Sequence, residues 1–260
     1  PNQLPPVGPG EPFRDLLPLL PAVRLKEVRR QGKDNPIVTA ANMVLEGLEP
    51  ALPESPEYAL RVMEANPTEL ARMAVEVYLE AVRRGEKAVV LTATNTGPLG
   101  VYALNQMVQK ALNPKGPSVP IGGGLEARAG DPVVSTYNDY LLELMNGEVL
   151  EVVSVDPKGP GLGAVTSEGR PYYVDGPALN HLLLGYALSV HRSQGSEWPT
   201  VIVALHHYQD PLLSRELLYT ALTRAKKRAV LLLTEEALYT CRARRSSGRH
   251  TWLKVFTRAS

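Results

Sequence analysis

Cysteine is nearly absent from this sequence: Cys241 stands alone among 260 residues. One thiol forms no internal disulfide and supports no cysteine-rich zinc site. A reducing compartment is the simplest setting, so a cytoplasmic location is expected. Net charge is nearly absent too. The balance is +1, from 28 Lys and Arg against 27 Asp and Glu, and it offers no global field to a polyanion. No apolar run approaches the ~18 residues that span a bilayer. Residues 1–15 are proline-rich rather than basic and then apolar, so they do not read as a signal peptide. The phosphate loop G-x-x-x-x-G-K-[ST] is also missing. "RQGKD" has Gly-Lys without a leading glycine or a following hydroxyl, and "GPGLG" (159–163) has glycines without lysine and reads as a hairpin turn. No H-E-x-x-H, G-x-S-x-G or paired-carboxylate pattern stands out, and no metal ligands are expected.

What is present is alternation. "NPIVTAANMVLEG" offers Asn35 as helix cap, Pro36 at the first helical position and Gly47 as terminator. "NPTELARMAVEVYLEAVRRG" repeats the plan with Asn66, Pro67 and Gly85, and places Leu70, Met73, Val77 and Ala81 on one core-facing side. "KAVVLT" (87–92), "TVIVAL" (200–205) and "AVLLLT" (229–234) read as buried strands. Helices are expected over "GPLGVYALNQMVQKAL" and near 212–225. Short apolar strands alternating with helices predict an α/β fold, a parallel sheet flanked by helices. Residues 130–178 break the rhythm. "DPVVSTYN", "GEVLEVVSVD", "GAVTSEG" and "RPYYVDG" are short β-like runs that predict a small antiparallel barrel. Of Tyr172 and Tyr173, one is expected in its core and the other outside. "PALPESPEYAL" (50–60) reads as a surface connection and "IGGGLEARAGD" as a loop. Charge is uneven at one end: ten Lys or Arg stand between Arg224 and Arg258 against two Glu. Alone, that run reads as a solvated face.

Two stretches carry more than fold. "YALSVHRSQGSEW" (186–198) crowds hydrogen-bonding side chains before a strand, and "LLYTALTRAKK" (217–227) lies on the helix after it. Together they resemble the fifth and sixth motifs of superfamily 1 helicases. "PNQLPPV" resembles the third and "VRLKEVRRQGKDNPI" the fourth. "VLTATNTGPLGVYALNQMVQKALNP" and "DPVVSTYNDYLLELMNGEVLEVV" follow in the order seen in RecD-like DNA helicases. The resemblance covers nearly the whole chain. It implies the tail of a first RecA-like motor domain (1–20), a second RecA-like motor domain (21–146 and 179–260) and an inserted SH3-like β-barrel (147–178). It also implies ATP and Mg2+ as cofactors, with single-stranded and forked DNA as partners, and translocation of five-prime to three-prime polarity. The phosphate loop and the acidic magnesium motif are expected in a preceding part of a longer parent, so this chain by itself is expected to be inactive. An RNA-directed motor and a non-catalytic nucleic-acid-binding module are the other classes in view.

The resemblance assigns roles by position. Arg224 is the arginine that stabilises charge on the γ-phosphate, with Arg30 as companion and Gln3 as γ-phosphate sensor; phosphoryl transfer needs such positive charge. Gly195 and Ser196 lie where backbone approaches a phosphate, and Glu197 faces a ribose hydroxyl. Ser189 and His191 face DNA, with Thr92, Thr94 and Asn95 on its backbone. Hydroxyls and amides on phosphate oxygens give a sequence-blind grip. Plainer readings stand beside these. Glu197 caps or pairs with a nearby cation, Trp198 packs where the strand begins, and threonines at a strand end do turn chemistry.

Overall fold

The structure is a computed structural model that describes residues 35–53, 55, 58–140 and 143–246, together with Leu4, Leu16 and Pro21. Its centre is a five-stranded sheet of β1 (Tyr58–Val62), β2 (Ala88–Thr92), β10 (Ala187–Ser189), β11 (Trp198–Leu205) and β12 (Ala225–Leu233). The order is β1-β12-β11-β2-β10 and every pairing is parallel. β2 is buried at all five positions, the continuous apolar pattern of a strand covered on both faces.

The strands alternate their side chains between two cores. Val90, Ile202, Ala204, Val230 and Leu232 face one cluster, which α2 (Pro67–Arg83) and α3 (Val101–Leu112) cover. Val89, Leu91, Val201, Val203, Ala229 and Leu231 face the other. That side is closed by α1 (Pro36–Glu46), α4 (Arg215–Leu222) and α5 (Glu235–Ala243). The helices begin where the sequence says. Asn35 accepts from the Ile37 amide, and Gly47 ends α1 in the left-handed region at φ 83°. Asn66 and Glu69 form a reciprocal capping box. Ser214 and Thr234 cap α4 and α5.

Three expectations are corrected. The stretch taken as a surface connection contains an edge strand, because Tyr58–Val62 pairs in parallel with β12. The stretch taken as a loop forms a hairpin of β3 (Val119–Ile121) and β4 (Leu125–Ala127). The antiparallel sheet also reaches beyond 147–178 on both sides. A second, antiparallel sheet of order β8-β7-β6-β5-β9 contains β6 (Val149–Asp156), β7 (Gly161–Thr166) and β8 (Pro171–Asp175). It takes in β5 (Pro132–Ser135) before them and β9 (Leu182–Leu184) after, paired to each other. The chain turns between β6 and β7 at 157–160, so only Gly159 and Pro160 of "GPGLG" lie in the turn and Gly161–Gly163 already pair in β7. Tyr172 is buried and Tyr173 exposed, as strand alternation requires.

The entry to this sheet is held by one buried carboxylate. Asp131 is fully buried. It accepts from the Gln109 amide, from Asn113 Nδ2 at 2.7 Å, from the Arg128 amide at 2.8 Å and from the Tyr186 hydroxyl at 2.7 Å. These partners come from α3, from the β4–β5 turn and from the segment before β10. Removing the acceptor leaves several buried donors unsatisfied, each costing about 1–3 kcal/mol. Asp131→Ala is expected to lower unfolding free energy by about 3 kcal/mol or more in urea titration of the chain. A loss below about 1 kcal/mol would contradict this account.

Candidate nucleotide and nucleic-acid site

β10 and β11 are parallel, yet only residues 190–197 join them. β10 ends level with Thr92, the last residue of β2; β11 begins two residues before the Thr200–Ala88 pair, at the far end of β2. The segment therefore travels about 20 Å along the strands, at ~3.3 Å per residue. It does so through tight turns: the Ser193 amide bonds the Ser189 carbonyl and the Ser196 amide bonds the Ser193 carbonyl. Buried Ser193 also donates to the Val190 carbonyl. Gly195 lies at φ 90° with open space around it. Its glycine is thus demanded by the left-handed turn, and it is exposed to solvent.

At the β11 end, Arg224 sits between α4 and β12. Its side chain is buried, at 6% exposure. Nε donates to the Thr220 carbonyl, Nη1 to the Ser196 carbonyl at 3.1 Å, and Nη2 to the Thr223 hydroxyl. Its own carbonyl accepts from the Trp198 amide. The fork of the guanidinium thus joins the 190–197 segment to the end of α4. Glu197 is half-buried and pairs with Lys226 at 3.4 Å, a cation on the neighbouring strand. Ser196 Oγ lies 3.5 Å from the Gly147 carbonyl. Trp198 is buried core. Gln3 and Arg30 lie outside the described residues. Leu4 is docked here: its amide donates to Thr220 Oγ1 and its carbonyl accepts from Gln194.

At the other end stand Ser189, His191, Thr94 and Asn95. Ser189, His191 and Thr94 are half-buried and Asn95 is exposed. Ser189 Oγ accepts from the Arg192 amide. Thr92 is corrected: it is fully buried, donates to the Leu99 carbonyl and accepts from Gln209. It shapes the 93–99 loop and does not reach a DNA backbone. Among the described residues no group of three or more His, Cys, Asp or Glu side chains is placed to hold a metal ion. No described helix is long and apolar enough to cross a membrane.

The profile of the UvrD-like helicase C-terminal domain matches residues 184–232, which contain both ends of this arrangement. The ATP-dependent RecD2 DNA helicase of Deinococcus radiodurans is 41% identical over 259 residues, 99% of this chain and 35% of that protein. Over nearly its whole length the chain is thus similar in sequence to a RecD-type helicase. The RecBCD enzyme subunit RecD of Mycobacterium tuberculosis is 36% identical over 159 residues, 60% of this chain and 26% of that protein. The chain thus spans between about a quarter and a third of the length of these two relatives. In fold it resembles Bacteroides Pif1 bound to single-stranded DNA, with a TM-score of 0.52 at 16% identity, covering 88% of this chain and 59% of that one.

Several residues of this site lie outside the roles that the motifs assign. Thr220 receives Leu4. Arg192 is half-buried, burial lowers its pKa, and its guanidinium makes no hydrogen bond or ion pair among the described residues. Gln209 is buried beneath Thr92 and Thr94. Arg192 lies within the 186–198 motif, which assigns it no role; Gln209 belongs to no motif.

His206 supports that last element. Its Nδ1 accepts from the Tyr208 amide at 3.1 Å, so Nε2 carries the proton and donates to the Ala65 carbonyl at 3.0 Å. Burial, and then His207, push its pKa below the ordinary value, against the Ala65 bond and Glu236. A depressed folded-state pKa favours the neutral ring. The stabilisation is therefore complete above the unfolded value near 6.5 and is lost as pH falls through the folded value. The unfolding free energy of wild type is expected to decline below about pH 6.5 more steeply than that of His206→Asn. Parallel profiles between pH 7 and 5 would remove His206 from the account.

Proposed function

We propose that this chain is the second motor domain of a RecD-like helicase that couples ATP hydrolysis to five-prime to three-prime movement on single-stranded DNA and to duplex unwinding. The observation that carries the reading is the 190–197 segment: one end bonds Thr92, the last residue of β2, two positions before Thr94, and the other is clamped by Arg224. The relatives named as DNA helicases support it, as does a fold neighbour bound to single-stranded DNA. In this reading Arg224 faces the γ-phosphate of ATP held mainly by a preceding motor domain, with Mg2+, and Arg30 and Gln3 assist. Gly195, Ser196 and Glu197 line the nucleotide side. Ser189, His191, Thr94 and Asn95 meet single-stranded or forked DNA, and Arg192, without an anion among the described residues, adds a phosphate contact. The five-stranded antiparallel sheet is an SH3-like module beside the strand. A cytoplasmic setting fits this work, and the 260-residue chain by itself is expected to turn over no ATP.

In this reading Arg224 has two tasks: its fork holds the Ser196 carbonyl, and its charge stabilises the nucleotide phosphate. The second task acts mainly in the transition state. In a full-length protein carrying this chain, Arg224→Ala is expected to cut the DNA-stimulated kcat on the order of 10³-fold, while binding of a fluorescent ATP analogue changes by less than about threefold. Arg224→Lys should recover little, because an ammonium lacks the planar fork. Turnover within a few-fold of wild type in Arg224→Ala would remove the assigned role.

A further inference from the structure

We propose that Gln209 is a positioning residue that turns the Thr94 hydroxyl outward as a hydrogen-bond donor to a phosphate of single-stranded DNA. The inference rests on the helicase reading above and adds a residue that no motif contains.

Gln209 is 1% exposed, in the turn after β11. Burying an amide is costly unless all its groups are bonded, and here they are. Oε1 accepts from the His206 amide at 3.1 Å. Nε2 donates to Thr92 Oγ1 and to Thr94 Oγ1, both at 2.9 Å. The assignment of nitrogen and oxygen is forced twice. A backbone amide can only donate, so its partner is the oxygen. Thr92 spends its own proton on the Leu99 carbonyl at 2.8 Å, so it must accept from Gln209.

The consequence falls on Thr94. It too accepts from Gln209, so its proton points away from the amide. Its other neighbour among the described residues is the Tyr208 hydroxyl, 3.5 Å away and on the surface. That distance is too long for a strong O–H···O bond. The Thr94 proton is therefore left to an acceptor outside the Gln209 pocket, and Thr94 is half-open to solvent. A phosphate oxygen only accepts, so this orientation is the one that binds it. Without Gln209 the hydroxyl rotates freely and can turn its proton to Tyr208 or inward.

The test uses full-length protein carrying this chain, with ATPase measured against oligo(dT) concentration. Gln209→Met keeps the volume and removes the amide. It is expected to raise the half-saturating DNA concentration about tenfold, with kcat at saturating DNA within about twofold of wild type. Thr94→Val should do the same, and Thr94→Ser should stay near wild type. The Gln209→Met/Thr94→Val double variant should be no more than about twofold worse than either single variant, because both remove one bond. Multiplying losses, or an unchanged half-saturation in Gln209→Met while Thr94→Val is impaired, would overturn the proposal and leave the helicase reading intact. A wild-type protein whose ATPase ignores DNA would overturn both. If Gln209→Met melts below the assay temperature, Thr94→Val and Thr94→Ser decide: an unchanged half-saturation in Thr94→Val refutes the donor role.

Discussion

Eight residues must carry the chain from the end of β10 back to the start of β11, and most of the site follows from that shortness. A parallel connection ordinarily needs a dozen or more residues and a helix. Here there is no length for a helix, so the segment folds as a run of turns over the sheet edge. Its backbone cannot enter a regular ladder, and buried amides must be bonded some other way. Ser189, Ser193 and the left-handed Gly195 serve that need. The crowding of polar side chains in "HRSQGSEW" is thus first a solution to chain geometry. The same geometry places its two ends at opposite ends of the strands of one sheet.

The β11 end is rigid for a reason that can be named. A buried guanidinium carries a large desolvation penalty unless its donors are bonded. Arg224 meets it with two carbonyls and a hydroxyl. Thr220 is spent twice in this arrangement, its carbonyl on Arg224 and its hydroxyl on the Leu4 amide. The short α4 is held by Leu217, Leu218, Ala221 and Leu222, all fully buried. A displacement of the 190–197 segment therefore reaches Arg224 through the Ser196 carbonyl, and reaches Leu4 through Gln194.

What was legible in the sequence was whatever depends on near neighbours. Asn35, Asn66 and Gly47 mark helix ends because caps act within a few residues. The alternation of Tyr172 and Tyr173 follows from strand geometry alone. The motif segments were legible because their order is long and specific. What was not legible depends on distant partners. Tyr58–Val62 becomes a strand only because β12 supplies a parallel edge, and "PALPESPEY" before it reads as loop. "PVVS" and "LLL" are too short to declare that they pair with each other across 46 intervening residues, 136–181. Thr92 and Thr94 have similar local signatures, yet the fold buries the first beneath Leu99 and Gln209 and leaves the second half-open. Gln209 itself gave no signal, since its meaning lies in residues more than a hundred positions away.

The inserted sheet is less separable than a clean interruption of motifs implies. Adjacent residues of β5 point to opposite sides: Val133 packs in the cluster of α2 and α3, and Val134 in the cluster of α1, α4 and α5. One strand of the antiparallel sheet thus touches both cores of the parallel sheet. Leu150, Val152, Leu162, Ala164, Tyr172 and Val174 continue the first of these clusters without a break. The Asp131 network adds polar bonds from α3 and Tyr186 at the point of entry. Cutting at 147 and 178 would strip those six residues from a shared core and leave Val133 and Leu184 with one side uncovered. The sheet closes at the β5–β9 pair, where Val133 faces Leu184 and Val134 faces Leu183. Joining Ser135 to Leu182 would keep that pair but remove the same six residues, so no excision between β5 and β9 spares the shared core.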